Sequence, residues 1–227
     1  MKTIIGVIML LLMTSWSYAN DIYVTQSGNA LDLDITQDGE NNTVGNSTTA
    51  SASAGATTIL NIDQIGNSNV ITYQINGATY TGVINLVGNS NNVDLNCDST
   101  GGNSSCGTAN AVINFTGSSN DIDLDIGQTS SANTADVDIV GQSGSDSNVV
   151  AATVDGNSAV LTITVNGDTN NYLIDIDGNG DSVGHTLIHS HTGGIADVDI
   201  IQSGTNDNMI TLTTSGDNAD IDISQTD

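Results

Sequence analysis

Residues 59–91 read ILNIDQIGNSNVITYQINGATYTGVINLVGNSN and contain the clearest repeat of the chain. Gly66, Gly77 and Gly88 recur here at every eleventh position, and apolar and polar residues alternate between them. Alternation with a period of two over about four to eight residues indicates a β-strand with one buried face. Glycine beside Asn or Ser indicates a tight turn. Each interval between these glycines therefore predicts one short strand and one turn.

The same pattern continues through the chain, in strings such as LDLDITQ, DIDLDIG, ADVDI, LTITV and ADIDISQ. Two such intervals make a rung of about 22 residues, and the longer intervals fall in loop-like segments. One such rung cannot bury its apolar face alone, but rungs stacked at about 4.8 Å share a core and pair their backbones. The sequence therefore predicts an all-β fold, a β-solenoid of stacked two-strand rungs with loop insertions.

The alternation also predicts which side chains point inward, and the Asp and Thr residues between them are expected to face solvent. The predicted core consists of Leu33, Ile35, Leu60, Ile62, Ile71, Ile84, Ile113, Ile122, Leu124, Val137, Ile139, Ile163, Ile176, Val198, Ile200, Leu212, Ile221 and Ile223.

The charge of the chain excludes several classes of protein. Its 227 residues include 26 acidic side chains and one basic side chain, Lys2, for a formal charge of −25. Binding of nucleic acid requires cations that neutralise phosphates, and attraction to an anionic membrane surface requires them as well. The many regularly placed Ile, Val and Thr residues and the absence of proline indicate an ordered β protein rather than a disordered chain.

Residues 1–19 have the pattern of a secretory signal peptide. Lys2 precedes an apolar run at residues 4–13, and small residues lead to Ala19. The alternative is a membrane anchor, but the apolar run at residues 4–13 is too short to cross about 30 Å of hydrocarbon. We expect residues 20–227 to form one repeat domain that is exported to the cell surface or beyond, without insertion into a membrane.

The two cysteines, Cys97 and Cys106, bracket the sequence DSTGGNSS. In an oxidising compartment they would form a disulfide that closes a glycine-rich loop. The alternative, a metal or redox pair, lacks further ligands nearby. A disulfide is therefore the prediction.

A further motif repeats within this framework: Gln-x-Gly. It begins at Gln26, Gln37, Gln64, Gln142 and Gln202. Three of these sites continue to an Asn followed by apolar residues, as in QIGNSNVI, QSGSDSNVV and QSGTNDNMI. With the alternating strand upstream, the pattern resembles the curlin repeat of bacterial curli subunits. The resemblance covers most of residues 22–227 and is closest at residues 22–42.

This resemblance implies an extracellular functional amyloid. Curli subunits leave the cell through a dedicated outer-membrane pore and are templated by a nucleator into adhesive biofilm fibres. In that family, Gln and Asn at the repeat positions stack inward as amide ladders. The matching positions here are Gln37, Asn42, Gln64, Asn69, Gln142, Asn148, Gln202 and Asn208.

The acidic residues predict a solvated acidic face without a cofactor. The alternative is binding of Ca²⁺. If rungs stack in register, Asp side chains lie about 4.8 Å apart and repel each other, and a hard divalent cation would relieve that repulsion. The string Asp175, Asp177, Asn179 and Asp181 has calcium-loop spacing without the final Glu, and a turn of the repeat explains it better.

All three histidines, His185, His189 and His191, fall in one short segment near Gly193. Imidazoles at this spacing could hold Zn²⁺ or Cu²⁺. In an inserted loop, however, histidines are more often solvated, and that is the expectation here.

The Asp residues look equivalent and solvent-facing, whereas acid–base catalysis needs carboxylates with unequal surroundings. The sequence contains no GxSxG, P-loop or HExxH motif. We therefore expect a non-enzymatic, structural or adhesive fibre subunit that self-associates. The alternative is a non-polymerising, cation-dependent adhesin or a phage-associated fibre component.

Overall fold

The structure, a computed structural model, describes residues 21–45, 51–97, 106–126, 134–156, 158–178, 185–204 and 208–226. Its regular elements within these ranges are all strands: β1 (Asp21–Ile22), β2 (Thr25–Ser27), β3 (Ala30–Asp38), β4 (Thr43–Val44), β5 (Ser51–Ile65), β6 (Val70–Val87), β7 (Asn92–Cys97), β8 (Thr108–Thr116), β9 (Asp121–Ile126), β10 (Thr134–Gly141), β11 (Val149–Gly156), β12 (Ser158–Asn166), β13 (Asn170–Gly178), β14 (Thr186–Thr192), β15 (Ala196–Ser203), β16 (Met209–Ser215) and β17 (Ala219–Thr226). No helix long and apolar enough to cross a membrane occurs in these ranges. The predicted signal peptide, residues 1–19, lies outside them.

Strands of successive rungs pair in parallel, and they form two facing sheets. The first sheet stacks β3, β5, β6, β8, β10, β12, β14 and β16 in that order. The second sheet stacks β1 and β2, then β4 and the start of β5, then β6, β7, β9, β11, β13, β15 and β17. The long strands β5 and β6 contribute to both sheets because each continues around a corner. The predicted β-solenoid is confirmed.

Rungs lie roughly 26 residues apart, somewhat more than the sequence predicted. Ile62 stacks on Ile84, and Ile84 stacks on Ile113, which is a longer interval along the chain. The longer interval contains the segment between Cys97 and Cys106. Insertions at corners therefore lengthen individual rungs without shifting the strand register, as expected for a solenoid.

Most of the predicted core is buried between the sheets. One column of the first sheet consists of Ile35, Ile62, Ile84, Ile113, Ile139, Ile163, His189 and Leu212. Four predictions differ, all at the ends of the stack. Leu33 and Leu212 are only partly buried, and Ile221 and Ile223 are 37% and 48% exposed. These residues point inward, but each lies in a terminal rung that has a neighbour on one side only.

The core also contains aromatic side chains that the alternation alone did not distinguish. Tyr73, Tyr80, Phe115 and Tyr172 are fully buried. Small residues make room for them. A Cβ atom at Gly82 would lie 2.6 Å from the Tyr80 hydroxyl oxygen. The large side chain of Tyr80 therefore fits because Gly82 has no side chain, and the core stays close-packed.

Candidate functional site

One corner of the solenoid, which we call the amide corner, leads from the first sheet to the second and repeats a single turn. It comprises residues 39–42, 66–69, 88–91, 117–120, 144–148 and 167–170. Gly66 has a φ of 129° and Ser68 a φ of 60°, and the turn ends on the buried Asn69. The Asn69 side-chain amide donates to the Gly66 carbonyl oxygen at 3.1 Å. Its oxygen accepts from the backbone N–H of Asn42, one rung away, at 2.9 Å.

This bonding repeats at the amide corner as a ladder of buried asparagines. Each side-chain oxygen accepts from the backbone N–H of the preceding Asn at 2.8–3.0 Å. The ladder consists of Asn42, Asn69, Asn91, Asn120, Asn148 and Asn170. The structure thus brings together three of the predicted ladder residues, Asn42, Asn69 and Asn148. The other three have the same Gly-x-x-Asn spacing, which was the signal that could have identified them.

Gln37 and Gln64 lie beside this corner, in the first sheet, and both are buried. The Gln64 amide nitrogen donates to the Gln37 side-chain oxygen at 2.8 Å. Leu86 follows Gln64 in the same column, so the glutamine ladder spans two rungs only. Gln142 is exposed, and the prediction that its side chain stacks inward is wrong. The turn that follows it is one residue longer than the others, and Gly141 takes the inward position.

Gln202 and Asn208 belong to the opposite corner, away from the other predicted ladder residues. Gln202 is buried in the second sheet, where it stacks between Ile176 and Gln225. The Gln225 amide nitrogen donates to the Gln202 oxygen at 3.4 Å. The Asn208 oxygen accepts from the His185 backbone N–H at 3.1 Å. The Gln-x-Gly motif therefore occurs at both corners, because it follows the end of a strand and strands of both sheets end in this way.

Replacing Asn69 with Ala is expected to lower the free energy of unfolding by about 2–3 kcal/mol, because it leaves the Asn42 N–H and the Gly66 carbonyl buried without partners. Asn67→Ala is the matched control. Asn67 lies in the same turn and is only partly buried, and its hydrogen bonds to the neighbouring rungs are exposed to solvent, so water replaces its partners and the loss stays below about 1 kcal/mol. Urea unfolding followed by circular dichroism measures both. Equal losses would contradict a stabilising role for the asparagine ladder.

The acidic surface differs from the expected columns of facing carboxylates. Most Asp side chains stack on a neutral residue in the next rung, and several accept hydrogen bonds from Asn. The Asn61 amide donates to Asp34 at 2.8 Å, and the Asn85 amide donates to Asp63 at 2.6 Å. Alternation of acid and amide thus avoids most of the predicted repulsion without a cation.

Within the paired strands, three pairs of carboxylates with described side chains do stack directly: Asp94 with Asp123, Asp197 with Asp220, and Asp199 with Asp222. Partial burial and then the charge of Asp125 raise the pKa of Asp94. The same two causes, followed by the charges of Asp94 and Asp121, raise the pKa of Asp123. Repulsion is therefore concentrated at the contact of β7 with β9 and at the C-terminal end of the stack.

The predicted calcium string is only partly within the described residues. Asp175 lies in β13 and is partly buried, and Asp177 follows it in the same strand. Asn179 and Asp181 lie outside the described residues. Within the ranges that the structure describes, no group of three or more His, Cys, Asp or Glu side chains is arranged to hold a metal. Calcium binding by the string stays a prediction.

The histidines are buried, so the expectation of a solvated loop is wrong. His189 and His191 lie in β14 and point into the core, and His185 immediately precedes this strand. The His185 Nδ1 atom accepts from the Ala159 N–H at 3.1 Å. The Tyr172 hydroxyl lies 2.9 Å from His191 Nδ1. The ring nitrogens of His185 and His191 thus contact a backbone N–H and a phenol hydroxyl. Within the described residues, the histidine side chains do not point to a common position that a metal could occupy.

His189 is the most unusual member of this group. It is fully buried, its ring centroid lies 4.4 Å from that of Tyr172, and neither ring nitrogen has a hydrogen-bond partner among the described residues. Burial, with a smaller contribution from His191, lowers its pKa from 6.5 to about 4. Burial also lowers the pKa of His191, against an opposing effect of Asp168. The imidazole of His189 is therefore neutral at pH 7.

Cys97 and Cys106 form a disulfide, with Cα atoms 5.7 Å apart. Both are buried, and the Cys106 N–H donates to the Cys97 carbonyl oxygen at 3.4 Å. The bridge therefore joins the end of β7 to the segment before β8 and closes the insertion between them.

Both ends of the stack are open among the described residues. The apolar side chains that pack on the core while remaining partly exposed are Ile22, Leu31, Leu33, Ile210 and Leu212, and all lie in the first two or last two strands of their sheets. Every described residue of β17 is exposed. The outer edges of β16 and β17 pair with no other described strand. Unpaired, apolar strand edges of this kind favour pairing with another chain.

Comparison of the chain with protein-family models, curated proteins and solved structures found no match. The fold and its surface define a class, an acidic parallel β-solenoid with an asparagine-lined corner and, among the described residues, two open ends. The resemblance to curlin repeats rests on the sequence alone, on the Gln-x-Gly motifs with the Asn that follows them and the alternating strand that precedes them.

Proposed function

We propose that this chain is a secreted structural subunit that assembles by edge-strand stacking into adhesive extracellular fibres. The open C-terminal end is the observation that carries the proposal. There β17 leaves a full parallel edge unpaired, and the inward-pointing Ile221 and Ile223 are exposed. A second chain that added a strand would complete the backbone hydrogen bonds and cover this apolar surface.

The surface and the core support the same proposal. A high negative charge keeps separate chains soluble during export, while the alternation of Asp with Asn lets rungs lie close together. The disulfide suits an oxidising compartment. By the resemblance to curli subunits, an outer-membrane export pore and a nucleator are the partners of this chain, and it acts at the cell surface without catalysis, membrane insertion or nucleic acid.

Purified chain spanning residues 20–227, without the predicted signal peptide, tests the proposal directly. We expect unbranched fibres in electron micrographs and a fibre-diffraction reflection at about 4.8 Å. Ile221→Asp with Ile223→Asp should prevent assembly, because it places charge on the open core. The matched control is Ile188→Asp with Ile195→Asp. These residues are 38% and 48% exposed, like the first pair, but Ile188 faces outward between Thr162 and Thr211, so the variant leaves the open core surface unchanged and should still assemble.

Addition of millimolar Ca²⁺ should shorten the lag time, because it reduces repulsion between carboxylates that stack directly, such as Asp197 and Asp220. Mild acidification should also shorten it, because the raised pKa of Asp94 and of Asp123 favours their neutral forms. Persistently monomeric scattering over days, under all of these conditions, would contradict the proposal. That result would favour the alternative function, a non-polymerising cation-dependent adhesin or phage-associated fibre component.

A further inference from the structure

The first and last strands of the described chain are similar in sequence, with three identical and three conservatively different residues among seven. Residues 21–27 read DIYVTQS, and residues 220–226 read DIDISQT. Both segments belong to the second sheet, at opposite ends of the stack. Continuing the register rung by rung aligns Ile22 with Ile221 and Gln26 with Gln225. Each segment could therefore occupy the place of the other.

The order of strands creates a mismatch when two complete copies are placed end to end. The described chain both begins and ends with a strand of the second sheet. If β17 of one copy paired with β1 and β2 of the next, the first sheet would lack a strand at the junction. Its strands β16 and β3 would then be separated by about 9.6 Å, two strand spacings, instead of about 4.8 Å.

Replacing β1 and β2 by the β17 of the neighbouring copy removes this mismatch. The first sheet then continues from β16 to β3 of the next copy, and the second sheet continues from β17 to β4. In the separate chain, Asp21 and Ile22 pair with Thr43 and Val44. After replacement, Asp220 and Ile221 of the neighbour make these pairs, so the parallel ladder of the second sheet is unbroken.

The apolar residues and charges at the two ends fit this arrangement. The partly buried Ile210 and Leu212 of one copy would meet Leu33 and Ile35 of the next. Within the paired strands of the first sheet, no two carboxylates would face each other across the junction, and the corner would bring one acidic pair together, Asp217 of one copy and Glu40 of the next. Direct stacking without replacement would instead place Asp220 on Asp21, and the chain has no basic residue beyond Lys2 to compensate.

The strands also differ in how firmly they are held. β1 and β2 together make five ladder pairs with the next rung. β17 makes eight uninterrupted pairs with β15. The N-terminal strands are thus the more easily displaced, while β17 stays attached to its own chain.

From these observations we propose that copies of this chain join head to tail by strand exchange, with β17 of one copy taking the position of β1 and β2 in the next. This inference rests on the proposed function, since it specifies how the fibre subunits connect. The partner that covers the open end is a second copy of the same chain.

Weakening the N-terminal strands distinguishes exchange from direct stacking, because the two predict opposite effects. Ile22→Asp with Val24→Asp puts charge in place of two partly buried apolar side chains of this segment, and Ile22 is the one that packs on the core. Exchange predicts a lag time about tenfold shorter, the factor expected when about 1.4 kcal/mol of displacement cost is removed. Direct stacking predicts slower assembly or none. The control, Ile221→Asp with Ile223→Asp, should prevent assembly in either case.

Cysteine cross-linking provides an independent measurement on the full chain. Thr36 and Thr213 lie at opposite ends of one copy, and exchange places them on adjacent strands of two copies. Oxidised fibres of Thr36→Cys with Thr213→Cys should therefore give a ladder of covalent multimers on non-reducing gels. The comparison variant, Asp21→Cys with Asp220→Cys, should give none.

Each result decides between the two proposals. If the wild-type chain never assembles, the proposed function and the exchange both fail. If fibres form but cross-link through positions 21 and 220, or fail to cross-link through 36 and 213, only the exchange is overturned.

Discussion

Substituting Ala for Gly66 is expected to lower the free energy of unfolding by about 3 kcal/mol or more. An added Cβ would collide with the carbonyl oxygen of Gly39 in the neighbouring rung, and this oxygen cannot move without breaking the ladder. The φ of 129° at Gly66 adds strain for any residue with a side chain. Urea unfolding followed by circular dichroism gives the loss of stability.

The matched control is Gly144→Ala, at the same corner. Gly144 also has a positive φ, 83°, but an added Cβ would have no atom within 4 Å. Only the conformational strain remains, so this variant should lose about 1–2 kcal/mol. If the two variants were equally destabilised, close stacking of the glycine backbones would not be the reason for glycine at the corner.

Acidification from pH 6.5 to pH 4 is expected to destabilise the C-terminal rungs by about 3 kcal/mol through His189 alone. Burial lowers its pKa to about 4, whereas in the unfolded chain it stays near 6.5. Between these values the unfolded chain binds the proton more readily, so the folded state loses stability as the pH falls. Hydrogen exchange should show this loss first in β13 to β16, the strands around the imidazole.

His189→Leu tests this expectation, because Leu suits a column in which the neighbours are Ile163 and Leu212. The variant should be more stable than the wild type at pH 4 by about 3 kcal/mol. It should also lose the part of the pH dependence that falls between pH 6.5 and pH 4. Parallel pH profiles for the two proteins would show that His189 is hydrated or paired in solution.

Asp123→Asn provides a control of opposite sign. The raised pKa of Asp123 means that the folded state binds a proton more readily than the unfolded chain does. Its contribution therefore stabilises the fold as the pH falls through the raised pKa, and the Asn variant should lose that gain. The Tyr172, His185 and His191 side chains are unchanged in this variant, so the effect of His189 should persist.

Much of the fold could be predicted because its signals are local. Alternation along a strand such as residues 59–65 indicates which side chains share a face, since successive residues of a strand point in opposite directions. The regular glycine spacing places the turns, and Gly-x-x-Asn identifies the asparagine ladder. These features depend only on neighbours in the chain, and the structure retains them.

The errors concern contacts between rungs. Gln142 and Gln202 carry the same motif as Gln64, yet one is exposed and the other lies at the opposite corner. His189 looked like a loop residue but replaces isoleucine in a core column. These outcomes depend on how many residues each corner inserts, because that number decides which residue stacks on which.

An acidic, all-β solenoid, its inward and outward faces, and the glycine and asparagine turns at its corners thus follow from the amino-acid pattern alone. Three features emerged with the folded chain: Asp stacks mostly on neutral residues, an imidazole without a described hydrogen-bond partner lies in the core, and similar strands lie in matching register at the two ends of the described stack. Alternation acts within one strand, whereas these contacts join residues of different rungs, whose pairing is set by the summed lengths of the turns between them.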